Sequence, residues 1–144
     1  MDGPLQIRPK AICAFRHGER ILVAHGYDAR RAQRYARPLG GTIEFGERAE
    51  EALRREIREE IGAEIRLPRL RGVLENVFTL EGRPSHEILF VFDAEFEDPR
   101  HYAGASIPLQ EVGWDGDAEW VSLDSFRQGS TPLYPEGLMA LLDR

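Results

Sequence analysis

Three glutamates, Glu56, Glu59 and Glu60, fall in one short stretch of a predicted helix. At ~100° per residue, with Glu56 placed at 0°, Glu60 falls near ~40° and Glu59 near ~300°, an arc of about 100°. Leu53, Ile57 and Ile61 occupy roughly 60° to 140° on the same wheel, so the carboxylate arc borders the apolar stripe. Like charges at i,i+3 and i,i+4 each cost a helix a few tenths of a kcal/mol. Carboxylates converging at the edge of a core also raise one another's pKa unless a cation compensates. Hard divalent cations take such oxygen ligands, and Mg²⁺ commonly bridges a few carboxylates to substrate phosphates. The string Arg55-Glu56-Ile57-Arg58-Glu59-Glu60 also reads as a solvated, salt-bridged face, with Glu51–Arg55 and Arg54–Arg58–Glu59 as neighbouring side chains. The segment before the helix favours the metal site. Leu39-Gly40-Gly41-Thr42-Ile43-Glu44-Phe45-Gly46-Glu47 is glycine-rich and forbids a regular helix, and it brings backbone carbonyls and carboxylates around one concavity.

The elements that must position these groups are legible in part. Ala49, Ala52, Leu53, Ile57 and Ile61 recur at helical spacing, and Gly62 supplies a stop, so a helix is expected over about 48–61. Ala11 to Phe15 and Ile21 to Ala24 are apolar runs around a turn containing Gly18 and read as a β-hairpin. From His25 to Pro38 the chain is polar. Leu70 to Leu80 and Glu87 to Phe96 read as a longer hairpin around Glu81-Gly82-Arg83-Pro84, with Ile88 to Phe92 buried on both faces. Asp98 to Asp117 is loop-rich, Trp120 to Leu123 reads as a last strand, and Gly137 to Leu142 as part of a terminal helix. The pattern is that of an α+β domain.

Composition bounds the function classes. The 144 residues suggest one domain over 1–144, long enough to bury a real core. Lys plus Arg is 19 and Asp plus Glu 25, a net charge of −6, which disfavours nucleic acid held on a general basic surface. Cys13 is the only cysteine, so an internal disulfide is excluded and a thiolate zinc cluster disfavoured; in its apolar run it reads as a buried hydrophobe. No apolar stretch approaches a membrane span, and MDGPLQIRPK is no signal peptide, so a cytoplasmic location is expected.

Gly41, five residues, Glu47, seven residues, then Arg55-Glu56-Ile57-Arg58-Glu59-Glu60-Ile61-Gly62 resembles the Nudix box at every polar and glycine position. The one departure is Ala63, where the box has a bulkier aliphatic residue, and it touches packing alone. The resemblance implies a Nudix fold, an α/β/α sandwich with a central mixed β-sheet carrying the loop–helix unit. It implies that Glu56, Glu59, Glu60 and the carbonyl of Gly40 bind Mg²⁺ or Mn²⁺, and that Glu47 and Arg55 form an ion pair orienting that face. Gly41 and Gly62 would serve the turn and the helix end. The implied reaction is hydrolysis of a diphosphate linkage in a nucleoside diphosphate joined to another group, with the ions neutralising charge on the leaving phosphate. Glu119-Trp120-Val121-Ser122-Leu123 is similar to a stretch of MutT-like members, which makes Glu119 a further ligand, a general base or a plain loop carboxylate; Glu111, Asp115 and Asp117 are its alternatives.

Other residues are weighed on type and place. Arg30, Arg31, Arg34 and Arg37 precede the loop, and Arg34 and Arg37 are candidate phosphate contacts as against solvated charges. Asn76, Phe78 and His86 lie where Nudix folds line a nucleoside pocket, with Phe78 a stacking ring or a core residue, and Tyr134 and Pro135 could close that pocket. His17, His25 and His101 lack ligand spacing and are assigned to the surface. Phe78 and Thr79 stand where subfamily markers for ADP-ribose and diadenosine polyphosphate hydrolases would fall, and the coenzyme A motif is missing. The resemblance thus leaves a MutT-like hydrolase of a nucleoside triphosphate or nucleoside diphosphate derivative. Its alternatives are a non-catalytic Nudix sensing or protein-binding module and an RNA 5′-end pyrophosphohydrolase. Homodimers are common among such relatives.

Overall fold

The computed structural model describes residues 4–110 and 113–144. In chain order the strands are β1 (Ile7–Cys13), β2 (Arg16–His17), β3 (Arg20–Asp28), β4 (Gln33–Thr42), β5 (Ile65–Leu80), β6 (Arg83–Phe96), β7 (Ser106–Ile107) and β8 (Ala118–Ser122). The helices are α1 (Ala49–Ile61), α2 (Leu123–Gln128) and α3 (Leu138–Leu142). The sheet runs β5-β6-β1-β4-β3-β8-β7, with β2 off β3. β1 pairs parallel to β6 and antiparallel to β4, so the sheet is mixed.

Helices cover both faces, as the α/β/α sandwich requires. Ala52, Leu53, Ile57 and Ile61 of α1 pack with Ala11, Cys13, Leu22, Leu39, Phe92 and Trp120. On the other face Leu123 of α2 and Leu138, Leu141 and Leu142 of α3 pack with Ile12, Ile21, Val23, Leu89 and Val91. Alternate residues of β1 and β3 thus feed opposite cores, the period-two rule of strands. No helix among the described residues is long and apolar enough to cross a membrane.

The first expected hairpin is not formed as read. β4 lies between β1 and β3, and the local hairpin is only Arg16–His17 against Arg20–Ile21. Ala11 to Phe15 are all buried, and a strand buried on both faces belongs in the sheet interior, where β4 and β6 satisfy both its edges. The polar stretch from His25 onward is also strand: β3 continues to Asp28, and β4 carries Gly40 and Gly41 within its pairing. Gly40 makes this close approach at φ 144°, where a Cβ would strike the carbonyl oxygen of Ala11 and crowd Ile12.

The β5–β6 hairpin turns at Glu81-Gly82 as expected and begins five residues earlier, at Ile65. Leu89, Val91 and Phe92 are buried, Ile88 and Phe90 half-buried. The loop-rich region holds a 3₁₀ turn, Pro99–Tyr102, and the short β7. Cys13 is buried.

Candidate active site

α1 begins where the backbone N–H of Arg48 donates to Glu51 Oε1 at 2.8 Å, and ends where Gly62, at φ 66°, donates to the Arg58 carbonyl at 2.9 Å. Between these caps the helix turns its carboxylates toward the end of β4. Glu60 is 1% exposed, and its Oε1 accepts the backbone N–H of Gly40 at 2.9 Å. The Glu56 carboxylate lies against the α-carbon of Gly41, where a Cβ would stand 2.7 Å from Glu56 Oε1. A larger residue at that point would push the Glu56 carboxylate out of its place.

Arg55 ties the loop to the helix. Its Nε and Nη2 donate to the two Glu47 oxygens at 2.7 and 2.8 Å, a bidentate fork, and Nη2 also donates to the Thr42 carbonyl at 3.0 Å. Nη1 donates to Glu56 Oε1 at 2.9 Å and to Glu59 Oε1 at 3.3 Å. Glu47 in turn accepts the Glu44 N–H at 2.9 Å, closing the turn. The solvated-face pairing read from the helix alone is replaced: Glu51 caps the helix, Arg54 pairs with Glu50 at 3.4 Å, and Arg58 with Glu64 at 2.7 Å.

These bonds set the electrostatics. The Arg55 fork, then the Glu44 N–H, hold the Glu47 carboxyl at about 2, below its usual 4.5. The bond to Glu47 first, then those to Glu56 and Glu59, raise Arg55 beyond its already high value. A depressed carboxylate stabilises the fold fully above its unfolded pKa and loses that contribution as pH falls through its folded value. Glu47→Gln should therefore remove part of the acid sensitivity between about pH 4.5 and 2. Thermal melts of both proteins across that window measure it; parallel curves would refute the assignment.

A second cluster surrounds Glu119 on β8. Its Oε1 lies 3.1 Å from His25 Nδ1 and 3.3 Å from Arg34 Nη2, while Arg34 Nε donates to Asp115 at 3.1 Å. His25 is 4% exposed, which corrects its assignment to the surface: β3 stays buried through Gly26, so the ring is carried inside by its strand. Burial first, then Arg34, push the His25 pKa below the ordinary imidazole value, against the pull of Glu119. His17 is exposed and His101 half-buried beside Phe96. Glu111 lies outside the described residues, and Asp117 is exposed.

A third feature is a cavity of about 200 Å³ lined by Arg37, Phe78, Tyr134 and Pro135, as the sequence suggested, together with Tyr35 and Glu87, which it did not. Arg37 donates to Glu87 at 3.3 Å, and Lys10 pairs with the same carboxylate at 3.3 Å. Lys10 stands opposite Thr42 in the β1–β4 ladder, so the cavity adjoins the loop–helix unit through two strands. Phe78 is half-buried in the cavity wall, and His86 lies in a neighbouring groove with Arg8 and Lys10.

The carboxylates meet the chemistry of a hard cation without closing on one point. Among the described residues no three Asp, Glu, His or Cys side chains form a metal-sized cluster. Arg55 Nη1 draws Glu56 and Glu59, while Glu60 turns to the Gly40 amide. The donors on offer are all oxygens, two of them on carboxylates flanking the backbone of Gly40 and Gly41.

A family model described as NUDIX domain matches residues 7–139. Among solved structures, the chain is similar to a MutT NUDIX hydrolase from Burkholderia pseudomallei, 24% identical with TM-score 0.69, covering 95% of this chain and 97% of that one. It is similar to a MutT protein from Methanosarcina mazei Go1, 19% identical with TM-score 0.69, covering 99% and 95%. A Mutator MutT protein from Bacillus halodurans is 24% identical with TM-score 0.67, covering 94% and 80%.

Proposed function

Since the chain belongs to the NUDIX family, hydrolases of phosphorus-containing anhydrides, we propose that it is a Mg²⁺- or Mn²⁺-dependent pyrophosphohydrolase. Its substrate would be a nucleoside triphosphate or a nucleoside diphosphate linked to another moiety. The observation that carries this reading is the buried Glu60 carboxylate held on the Gly40 amide, with Glu56 packed on Gly41 beside it. These carboxylates and the adjoining backbone set hard oxygen donors side by side, the ligands that a divalent cation takes.

Glu56, Glu60 and the Gly40 carbonyl would hold the ion, with Glu59 joining by turning from Arg55. When bound, a divalent ion supplies charge neutralisation at a phosphoryl oxygen and activates water. The chain's own residues do the rest. Arg55, fixed by Glu47 and Thr42, sets the direction of the Glu56 and Glu59 carboxylates. Glu119, which lies between His25 and Arg34, would be one candidate to accept a proton, with Glu59 and Glu60 as the others. Arg34 and Arg37 are already bonded to carboxylates, so phosphate contact by either requires exchange of those partners.

A panel of nucleoside triphosphates and nucleoside diphosphate derivatives, assayed with Mg²⁺ or Mn²⁺ and with chelator, tests the reading. The expected result is release of nucleoside monophosphate from at least one member, abolished by chelation. Absence of metal-dependent release across the whole panel would sink it.

A further inference from the structure

Beside Glu119 lies a sealed nitrogen that has no hydrogen-bond partner among the described residues. His25 is 4% exposed, and its Nδ1 is closed off from solvent with no acceptor in line for a bond. Glu119 Oε1 meets it at 3.1 Å, close but off that line. A bare lone pair facing a carboxylate is repulsive, so Nδ1 is the nitrogen that carries the ring's hydrogen. Buried donors are seldom left unmade, and a small turn of the half-exposed Glu119 side chain completes the bond.

A closed ring of contacts surrounds that carboxylate. The His25 carbonyl accepts the Asp115 N–H at 2.7 Å, Asp115 Oδ2 accepts Arg34 Nε at 3.1 Å, and Arg34 Nη2 donates to Glu119 Oε1 at 3.3 Å. Arg34 reaches Glu119 from the surface on an exposed, flexible stem. His25 reaches it from the interior, on a strand paired along both edges. Both contacts fall on Oε1, which leaves Oε2 to meet a ligand or a proton. The cluster is tied to the loop–helix unit through strand and helix alike. Glu119 pairs with Val23, and Val23 with Pro38, two residues before Gly40. Gln110, ahead of β8 in the chain, donates its N–H to the Glu60 carbonyl at 2.8 Å.

We propose that His25 is a positioning residue: its Nδ1–H holds Glu119 Oε1 from the interior and so aims Oε2 into the active site. The inference rests on Glu119 being a working group of the proposed hydrolase, and it adds the residue that directs it. Because His25 acts through Glu119, it governs turnover more than substrate affinity, and it matters only while Glu119 keeps its carboxylate.

The test uses the substrate that the nucleotide panel identifies. His25→Leu should lower kcat about 10-fold and leave KM within about 2-fold. His25→Asn, whose amide nitrogen falls where Nδ1 stood, should recover turnover to within about 3-fold of wild type. In a Glu119→Gln background, His25→Leu should cost less than about 2-fold more, whereas a packing role or a direct contact with substrate would cost the full factor again. Equal losses in the leucine and asparagine variants, a loss confined to KM, or full additivity with Glu119→Gln would overturn the proposal. Wild-type turnover in Glu119→Gln would also overturn it while leaving the hydrolase reading in place. Two arms need no hydrolysis. Long-range ¹H–¹⁵N spectra of the wild-type protein at about pH 8, where an ordinary imidazole is neutral, should place the His25 hydrogen on Nδ1. A hydrogen on Nε2 alone would refute the hold on Glu119, and this arm depends on no variant folding. Crystal structures should show the Glu119 carboxylate displaced in His25→Leu and kept in His25→Asn; an unmoved carboxylate in the leucine variant refutes the same hold. If no panel member is hydrolysed, the hydrolase reading falls and these two arms decide the contact by themselves.

Discussion

Glu60→Gln should lower metal-dependent release of nucleoside monophosphate by about 10³-fold while leaving the melting temperature within a few degrees. Glutamine keeps the length of the side chain and an oxygen able to accept the Gly40 N–H, so the contact at 2.9 Å survives. What is lost is the negative charge, at a site only 1% exposed where no water can replace it. A cation bound there would lose its closest compensating charge in a medium of low effective dielectric. Turnover, Mn²⁺ affinity by calorimetry and thermal melts together separate this from a folding defect. Wild-type turnover in the glutamine variant would remove Glu60 from the metal site and with it the main support for the catalytic reading.

Arg55→Lys is the second large effect, and it retains the charge. The guanidinium spans Glu47 with two bonds, the Thr42 carbonyl with a third, and Glu56 and Glu59 with its remaining edge. An ammonium on a flexible stem has three donors and no fixed plane, so it cannot satisfy the fork and the carbonyl together. The loop should loosen against the helix, with kcat/KM falling about 10²-fold and the melting temperature by several degrees. Combining it with Glu47→Gln should add little, since both remove the same fork. Full additivity of the two losses would show that the pair does not act as one unit.

Much of the site could be read along the chain because α1 carries it. The phase of Glu56, Glu59 and Glu60, the stop at Gly62 and the Glu47–Arg55 pair all lie within one loop and four helical turns, and a helical period is a local property. The β5–β6 hairpin, the last strand and the terminal helix were legible for the same reason: apolar runs and turn residues adjoin in sequence. The misread hairpin between Ala11 and Ala24 shows where that reasoning stops. Proximity in sequence favoured pairing the two runs, yet burial on both faces required neighbours from β4 and β6.

The same division runs through the chemistry. Spacing put the carboxylates and the loop glycines within reach of one another, since covalent geometry and one helix set their relative positions, and the resemblance to the Nudix box added the pairing of Arg55 with Glu47. Which carboxylate Arg55 takes, where His25 points and what surrounds Asn76 depended on pairings between distant segments. Arg55 chose Glu47 over Glu51 because the turn after β4 folds back on the helix. His25 entered the interior because β3 is flanked by β4 and β8. Asn76 faces Glu87, Tyr35 and Tyr134 only once four separate segments have met. Contacts of that kind are set by which surfaces must be buried together, a balance over the whole chain that no local pattern encodes.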